Sequence, residues 1–163
     1  MSDDETWMRA ARDFAVAEKG SDPANTPIAA ILVLDGKEIA RGVNRTAECC
    51  DATAHAEVVT LRAGGAEHGD MRIEGATLYS TLQPCGMCTF ASIWAGVSRI
   101  VYGAGRKDVH EMYFEDRHLS TLDFVVDAYK DDLELVGGVL SEECANLYYR
   151  PWDDVPEEKQ AND

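Results

Sequence analysis

The chain has 163 residues, 45% of them hydrophobic, enough for one domain with a sizeable core. No apolar run nears the roughly 18 residues of a membrane span, and the acidic start MSDDETW lacks the basic-then-apolar pattern of a secretory signal, so a cytoplasmic protein is expected. Thirty acidic residues against 15 basic ones leave a net charge of −15, which argues against a nucleic-acid partner because such a surface repels phosphates.

Asp3 or Asp4 is placed to cap a first helix, in which Trp7, Met8, Ala11, Phe14 and Ala15 recur at helical spacing to about Lys19. SDPANTP reads as a loop, and the apolar run IAAILVL, Ile28 to Leu34, as a buried strand. Asp35-Gly36 is a hairpin signal, with Lys37 to Val43 returning antiparallel. Residues 44–53 are polar and irregular. A helix from Ala54 is expected to stop at Gly64-Gly65. ATLYSTL reads as a strand, the stretch after Pro84 as a helix to about Ala95, and SRIVYGA as the next strand. A loop and helix are expected over 108–130, a strand over LELVGGV, and a last helix capped by Ser141 and running through Tyr149.

Strands separated by helices imply parallel crossovers. The expected fold is α/β: a three-layer α-β-α sandwich over residues 1–150, with a mixed five-stranded sheet whose first two strands form a hairpin. Residues 151–163 form an acidic tail.

Five cysteines in a chain read as intracellular argue against a disulfide framework and leave metal binding or burial. The informative residues are His55-Ala56-Glu57 and Pro84-Cys85-Gly86-Met87-Cys88. Two cysteines three apart at a helix start can face one ion, and the helix amides there favour thiolates. One histidine and two thiolates make a three-ligand zinc site with a fourth position for water. Glu57, two residues from His55, is badly spaced to share the ion from a regular helix and well placed as an acid/base. Two other readings stand beside this one: a redox C-x-x-C pair, and a closed zinc site in which Cys49 or Cys50 is the fourth ligand.

With these motifs the chain resembles the cytidine deaminase-like superfamily, in the branch of guanine deaminases, fungal-type cytosine deaminases and tRNA adenosine deaminases. Gly42-Val43-Asn44-Arg45, the stretch Ala52 to Glu57 and the stretch Thr77 to Cys88 carry the resemblance. It implies zinc held by His55, Cys85 and Cys88, with Glu57 moving protons between water, a ring nitrogen and the leaving ammonia. It also implies a homodimer, and Asn44, with Ala56 beside it, in contact with the base. The sequence departs from the family's pattern at Gln83, where many relatives are acidic, and at Phe90 and Trp94, where bulky side chains expected to pack in the core stand on the second helix of the site.

A small-molecule nucleobase fits the acidic chain better than tRNA, and guanine is placed ahead of cytosine. Glu115 or Asp116, after Phe114, is placed to read a purine's N–H groups, as acidic residues do in the guanine deaminases. Trp152, with Tyr148, Tyr149, Asp153 and Asp154, is placed to form a C-terminal lid that excludes water. A tRNA adenosine deaminase and a non-catalytic zinc or redox protein are the alternatives. The Lys-poor acidic composition would also suit a high-salt cytoplasm.

Overall fold

The computed structural model describes residues 3–114 and 133–156. In chain order these form helix α1 (Asp3–Lys19), strands β1 (Ala29–Leu34) and β2 (Lys37–Val43), a one-turn helix α2 (Thr46–Cys49), helix α3 (Ala56–His68), strand β3 (Thr77–Leu82), helix α4 (Gly86–Trp94), strands β4 (Arg99–Ala104) and β5 (Glu134–Gly137), and helix α5 (Ser141–Ala145).

The strands form one sheet in the order β2-β1-β3-β4-β5. β1 is antiparallel to β2 and β3, whereas β3, β4 and β5 run parallel. Asp35 and Gly36 both take positive φ, 51° and 72°, the conformation a two-residue hairpin of the observed twist requires. Alternation along β1 divides the core. Ala29, Ile31 and Val33 join Met8, Ala11 and Ala15 of α1 and Cys144 of α5 on one face. Ala30 and Leu32 join Ala56 and Leu61 of α3, with Leu78 and Ile100, on the other. The three-layer sandwich and the mixed five-stranded sheet are therefore as expected.

Four local expectations differ. α3 runs through Gly64-Gly65 and stops at Gly69, which has φ 77°. Gly64 is a packing residue: a Cβ there would lie 2.5 Å from Leu32 Cδ2, so its absence lets α3 sit against the sheet. Ser141 is the first residue of α5, whose cap is Leu140 at φ 54° with no side-chain hydrogen bond. Asp4 accepts a two-pronged hydrogen bond from Arg99 at 2.6 and 2.8 Å and one from the Tyr79 hydroxyl at 2.9 Å, tying α1 to the start of β4. Residues 46–49, read as irregular, form α2. The helix expected within 108–130 falls largely outside the described residues. Val155 is buried, so packing continues past residue 150. No helix among the described residues is long and apolar enough to cross a membrane.

Candidate active site

Both motifs sit where a helix begins. His55 is the residue before α3, in extended conformation, and its carbonyl accepts from Val59 N–H at 2.9 Å. Cys85 has the same position before α4, its carbonyl accepting from Thr89 N–H at 3.0 Å. β3 feeds Cys85 directly, while α3 packs on the sheet beside α4, so the two helix starts converge at the carboxyl end of β3.

Three donor atoms meet there. Cys85 Sγ and Cys88 Sγ each lie 3.6 Å from His55 Nδ1 and 3.5 Å from each other. A tetrahedral zinc with bonds of about 2.3 Å to sulfur and 2.0–2.1 Å to nitrogen needs donors about 3.5–3.8 Å apart. The residues present therefore fit zinc. Among the described residues, His55, Cys85 and Cys88 are the one cluster of metal-ligating groups within 4.8 Å of each other. Cys49 and Cys50 stand exposed and are not part of it, so among the described residues the cluster has three donors, one fewer than a closed tetrahedral zinc site. Hydrogen bonding with Cys88, followed by that with His55, brings the Cys85 thiol down to about 4, whereas the bond with Cys85 and burial push Cys88 up. Cys85 is therefore the more readily ionised of the two.

Glu57 lies in the first turn of α3 with only 3% of its surface exposed. Desolvation, and then the negative Cys85, push its carboxyl above the usual range. Ser80 Oγ, fully buried on β3, donates to Oε1 at 3.1 Å. Oε2 lies 3.5 Å from Cys88 Sγ. A buried carboxyl beside the donor triangle, with one oxygen fixed and its proton affinity raised, suits a group that accepts a proton and returns it. Sequence reasoning missed Ser80. Its signal was a small hydroxyl residue in the middle of a strand whose residues 78–82 are all buried.

Asn44 follows β2 and lines a polar cavity of about 260 Å³ with Thr26, Arg45 and Thr46. Its amide donates to Thr46 Oγ1 at 3.3 Å, and its backbone N–H to Ile28 O at 3.0 Å. Ala56, fully buried, opens α3 between the histidine and the glutamate. Gln83 Oε1 accepts the Arg106 N–H at 3.3 Å, linking the loop after β3 to the loop after β4.

The rim differs from expectation. Tyr148 is a core residue and no lid: it is 2% exposed and its hydroxyl lies 2.6 Å from Thr81 Oγ1. Trp152 stands in solvent at 78% exposure, with the Arg150 guanidinium 6.0 Å from its ring centre. Trp94, expected in the core, is 69% exposed because its position on α4 faces away from the sheet. Glu115 and Asp116 lie outside the described residues.

Comparison with known proteins bears on the substrate. The family described as the cytidine and deoxycytidylate deaminase zinc-binding region matches residues 1–104. The tRNA-specific adenosine deaminase of Buchnera aphidicola (subsp. Schizaphis graminum) is 36% identical over 145 residues, covering 88% of this chain and 90% of that protein. The chloroplastic tRNA(adenine(34)) deaminase of Arabidopsis thaliana is 44% identical over 104 residues, but the match takes in 64% of this chain and only 8% of that longer protein. Among solved structures, a tRNA:A34 deaminase studied for A-to-I editing at the wobble position superposes with TM-score 0.70 at 33% identity, covering 87% of this chain and 98% of that one. The guanine deaminase of Nitrosomonas europaea superposes with TM-score 0.74 at 26% identity, covering 88% and 81%.

The two likenesses in fold are similar, so fold does not separate the substrates. Sequence identity favours one of them, and it corrects the expectation of free guanine or cytosine and of no nucleic-acid partner: over 87–88% of this chain the relatives named for adenosine in tRNA are 33–36% identical, against 26% for the Nitrosomonas europaea guanine deaminase. Net charge is a weak guide to a partner because it sums the whole surface, whereas a partner meets one patch of it. The family match spans residues 1–104 of 163 and contains both motifs, so the chain belongs to the zinc-binding deaminase family of the cytidine and deoxycytidylate deaminases.

Proposed function

We propose that the protein is a hydrolytic adenosine deaminase acting on tRNA, converting adenosine to inosine and releasing ammonia. The observation that carries the substrate is the 36% identity to a tRNA-specific adenosine deaminase over 88% of this chain and 90% of that relative. The observation that supports the reaction is the convergence of three metal-ligating donors beside a buried carboxyl.

In this reading His55, Cys85 and Cys88 hold zinc, which when bound lowers the pKa of water toward about 7 and so supplies the nucleophile. Glu57 is the proton carrier. Ser80 fixes Oε1, so Oε2 takes the proton, delivers it to the purine ring nitrogen and serves the departing amino group in the same way. Burial raises the proton affinity of the carboxyl, so it can hold the proton between those transfers. Asn44 and the first backbone N–H of α3, at Ala56, orient the base. Cys85 and Cys88, in the first turn of α4, meet the positive end of its amide dipoles, which stabilises the thiolates.

The protein also fits a homodimer. Val58, Leu61, Met71, Ala91 and Trp94 line an apolar groove of about 480 Å³ between α3 and α4, in which Met71 and Trp94 are 71% and 69% exposed. Trp94→Glu is expected to shift the mass seen by light scattering from dimer to monomer; a wild-type monomer would refute this part.

The test of activity is inosine formation in a tRNA anticodon stem-loop, run beside ammonia release from free guanine, cytosine and adenine. Inosine in the RNA with no release from free bases supports the reading. Release from a free base with none from RNA overturns the substrate.

A further inference from the structure

An RNA substrate raises a question about a chain of net charge −15: where does it hold phosphate? Cations on the described surface are mostly committed to carboxylates, from Arg9 with Glu143 to Arg150 with Glu142. Lys19 is tied to Glu48. Two exposed lysines, Lys37 and Lys107, have no ion-pair or hydrogen-bond partner among the described residues.

The topology puts these two lysines at opposite ends of the sheet. Lys37 pairs with Leu34 at the hairpin end, near where β3 begins. Lys107 lies in the 3-10 turn Arg106–Asp108 that follows β4, at the carboxyl ends of the parallel strands. This is the side on which open α/β sheets bind ligands, and here it carries Cys85.

Around Lys107 there is a cavity of about 300 Å³ whose lining includes Gln83, Arg106, Asp108 and Ser141. Its carboxylate, Asp108, is turned into the loop and accepts the Gly105 N–H at 2.9 Å. The loop is stitched to the catalytic segment: Gln83, two residues before Cys85, donates its N–H to Ala104 O at 2.8 Å and accepts the Arg106 N–H at 3.3 Å.

We infer that this cavity is a phosphate subsite, in which Lys107 grips the backbone of the RNA strand whose adenosine enters the site, while Arg106, its guanidinium 4.5 Å over the Phe114 ring, helps to hold the loop. The inference rests on the RNA reading above and adds the part of the surface that recognises the strand. It reconciles the chain's acidity with an anionic substrate: one local cation beside the catalytic segment replaces a basic surface, and repulsion elsewhere on the molecule disfavours other binding modes.

The test is binding of a fluorescein-labelled RNA stem-loop, with adenosine in its loop, to the zinc-loaded full chain, measured by anisotropy across a salt series. Wild type is compared with Lys107→Ala and Lys37→Ala. Both lysines are exposed, so both variants should fold, and thermal melting checks that they do. Lys107→Ala is expected to weaken binding about three- to fivefold and to lower the slope of log affinity against log salt by about 0.7–1, with Lys37→Ala matching wild type. Equal binding by Lys107→Ala and wild type, or equal loss in both variants, overturns the subsite. Wild type that binds no stem-loop at all overturns the RNA reading itself, so the two failures are distinguishable.

Discussion

The molecule has two pairs of neighbouring cysteines, and only one converges with a histidine. Cys85 and Cys88 are spaced one helical turn apart, bracket the start of α4, and close a triangle with His55 whose sides are 3.5 and 3.6 Å. Cys49 and Cys50 are adjacent, end a one-turn helix, and stand exposed. The element is the same in both places; the difference lies in what the backbone does with it. Spacing that puts two thiols on one side of a helix start, fed by a buried strand and facing a second helix start, makes an ion site. Adjacency on an exposed turn does not.

The largest effects should come from breaking the first pair. Cys88→Ser or His55→Ala is expected to drop bound zinc from about one per chain to near none, with loss of activity, whereas Cys49→Ser with Cys50→Ser should leave both unchanged; elemental analysis decides. Glu57→Gln should keep zinc and lower turnover by about 10²–10⁴, which separates holding the metal from moving protons. Alkylation sharpens the contrast further. In zinc-loaded protein, iodoacetamide should label Cys49 and Cys50 and spare Cys85 and Cys88, as mass spectrometry would show. After chelation Cys85, brought down to about 4 chiefly by its hydrogen bonding with Cys88, should react ahead of Cys144, which burial pushes up to about 12.

Smaller effects follow from the residues that hold the site in place. Ser80→Ala should lower kcat about tenfold with KM little changed, since it frees Oε1 of Glu57 without touching the base pocket. Tyr148→Phe should cost about 1 kcal/mol of stability by removing its hydrogen bond with Thr81, read from denaturant midpoints. The smallest lies far from both cysteine pairs. Hydrogen bonds from Arg99 hold Asp4 below the usual carboxylate range, so its folded pKa is depressed. Its contribution is therefore present above the unfolded value of about 4 and is lost as pH falls through the folded value. Asp4→Asn should remove that part of the acid dependence and leave stability at neutral pH slightly reduced.

Much of this was legible from residue order. β1, the Asp35-Gly36 turn and β3 follow from periodicity and turn chemistry, because local backbone preference and tertiary packing agree there. The three donors and Glu57 were legible because each is tied to a helix start, which a few neighbouring residues specify. Gly64-Gly65 misled because glycine serves equally as a stop and as a place where Leu32 can approach, and only packing distinguishes the two. Trp94 and Tyr148 were misplaced because an aromatic side chain carries no sign of whether it will be covered. Substrate was the least legible: pockets in one fold differ by a few side chains, and total charge says nothing of how charge is distributed over the surface.

Three residues are placed to hold the ion, and zinc X-ray absorption of the wild-type protein measures their number directly. Two sulfurs at about 2.3 Å and two lighter ligands at about 2.0 Å are expected. A third sulfur would mean that Cys49 or Cys50 closes the site, and would contradict the catalytic reading.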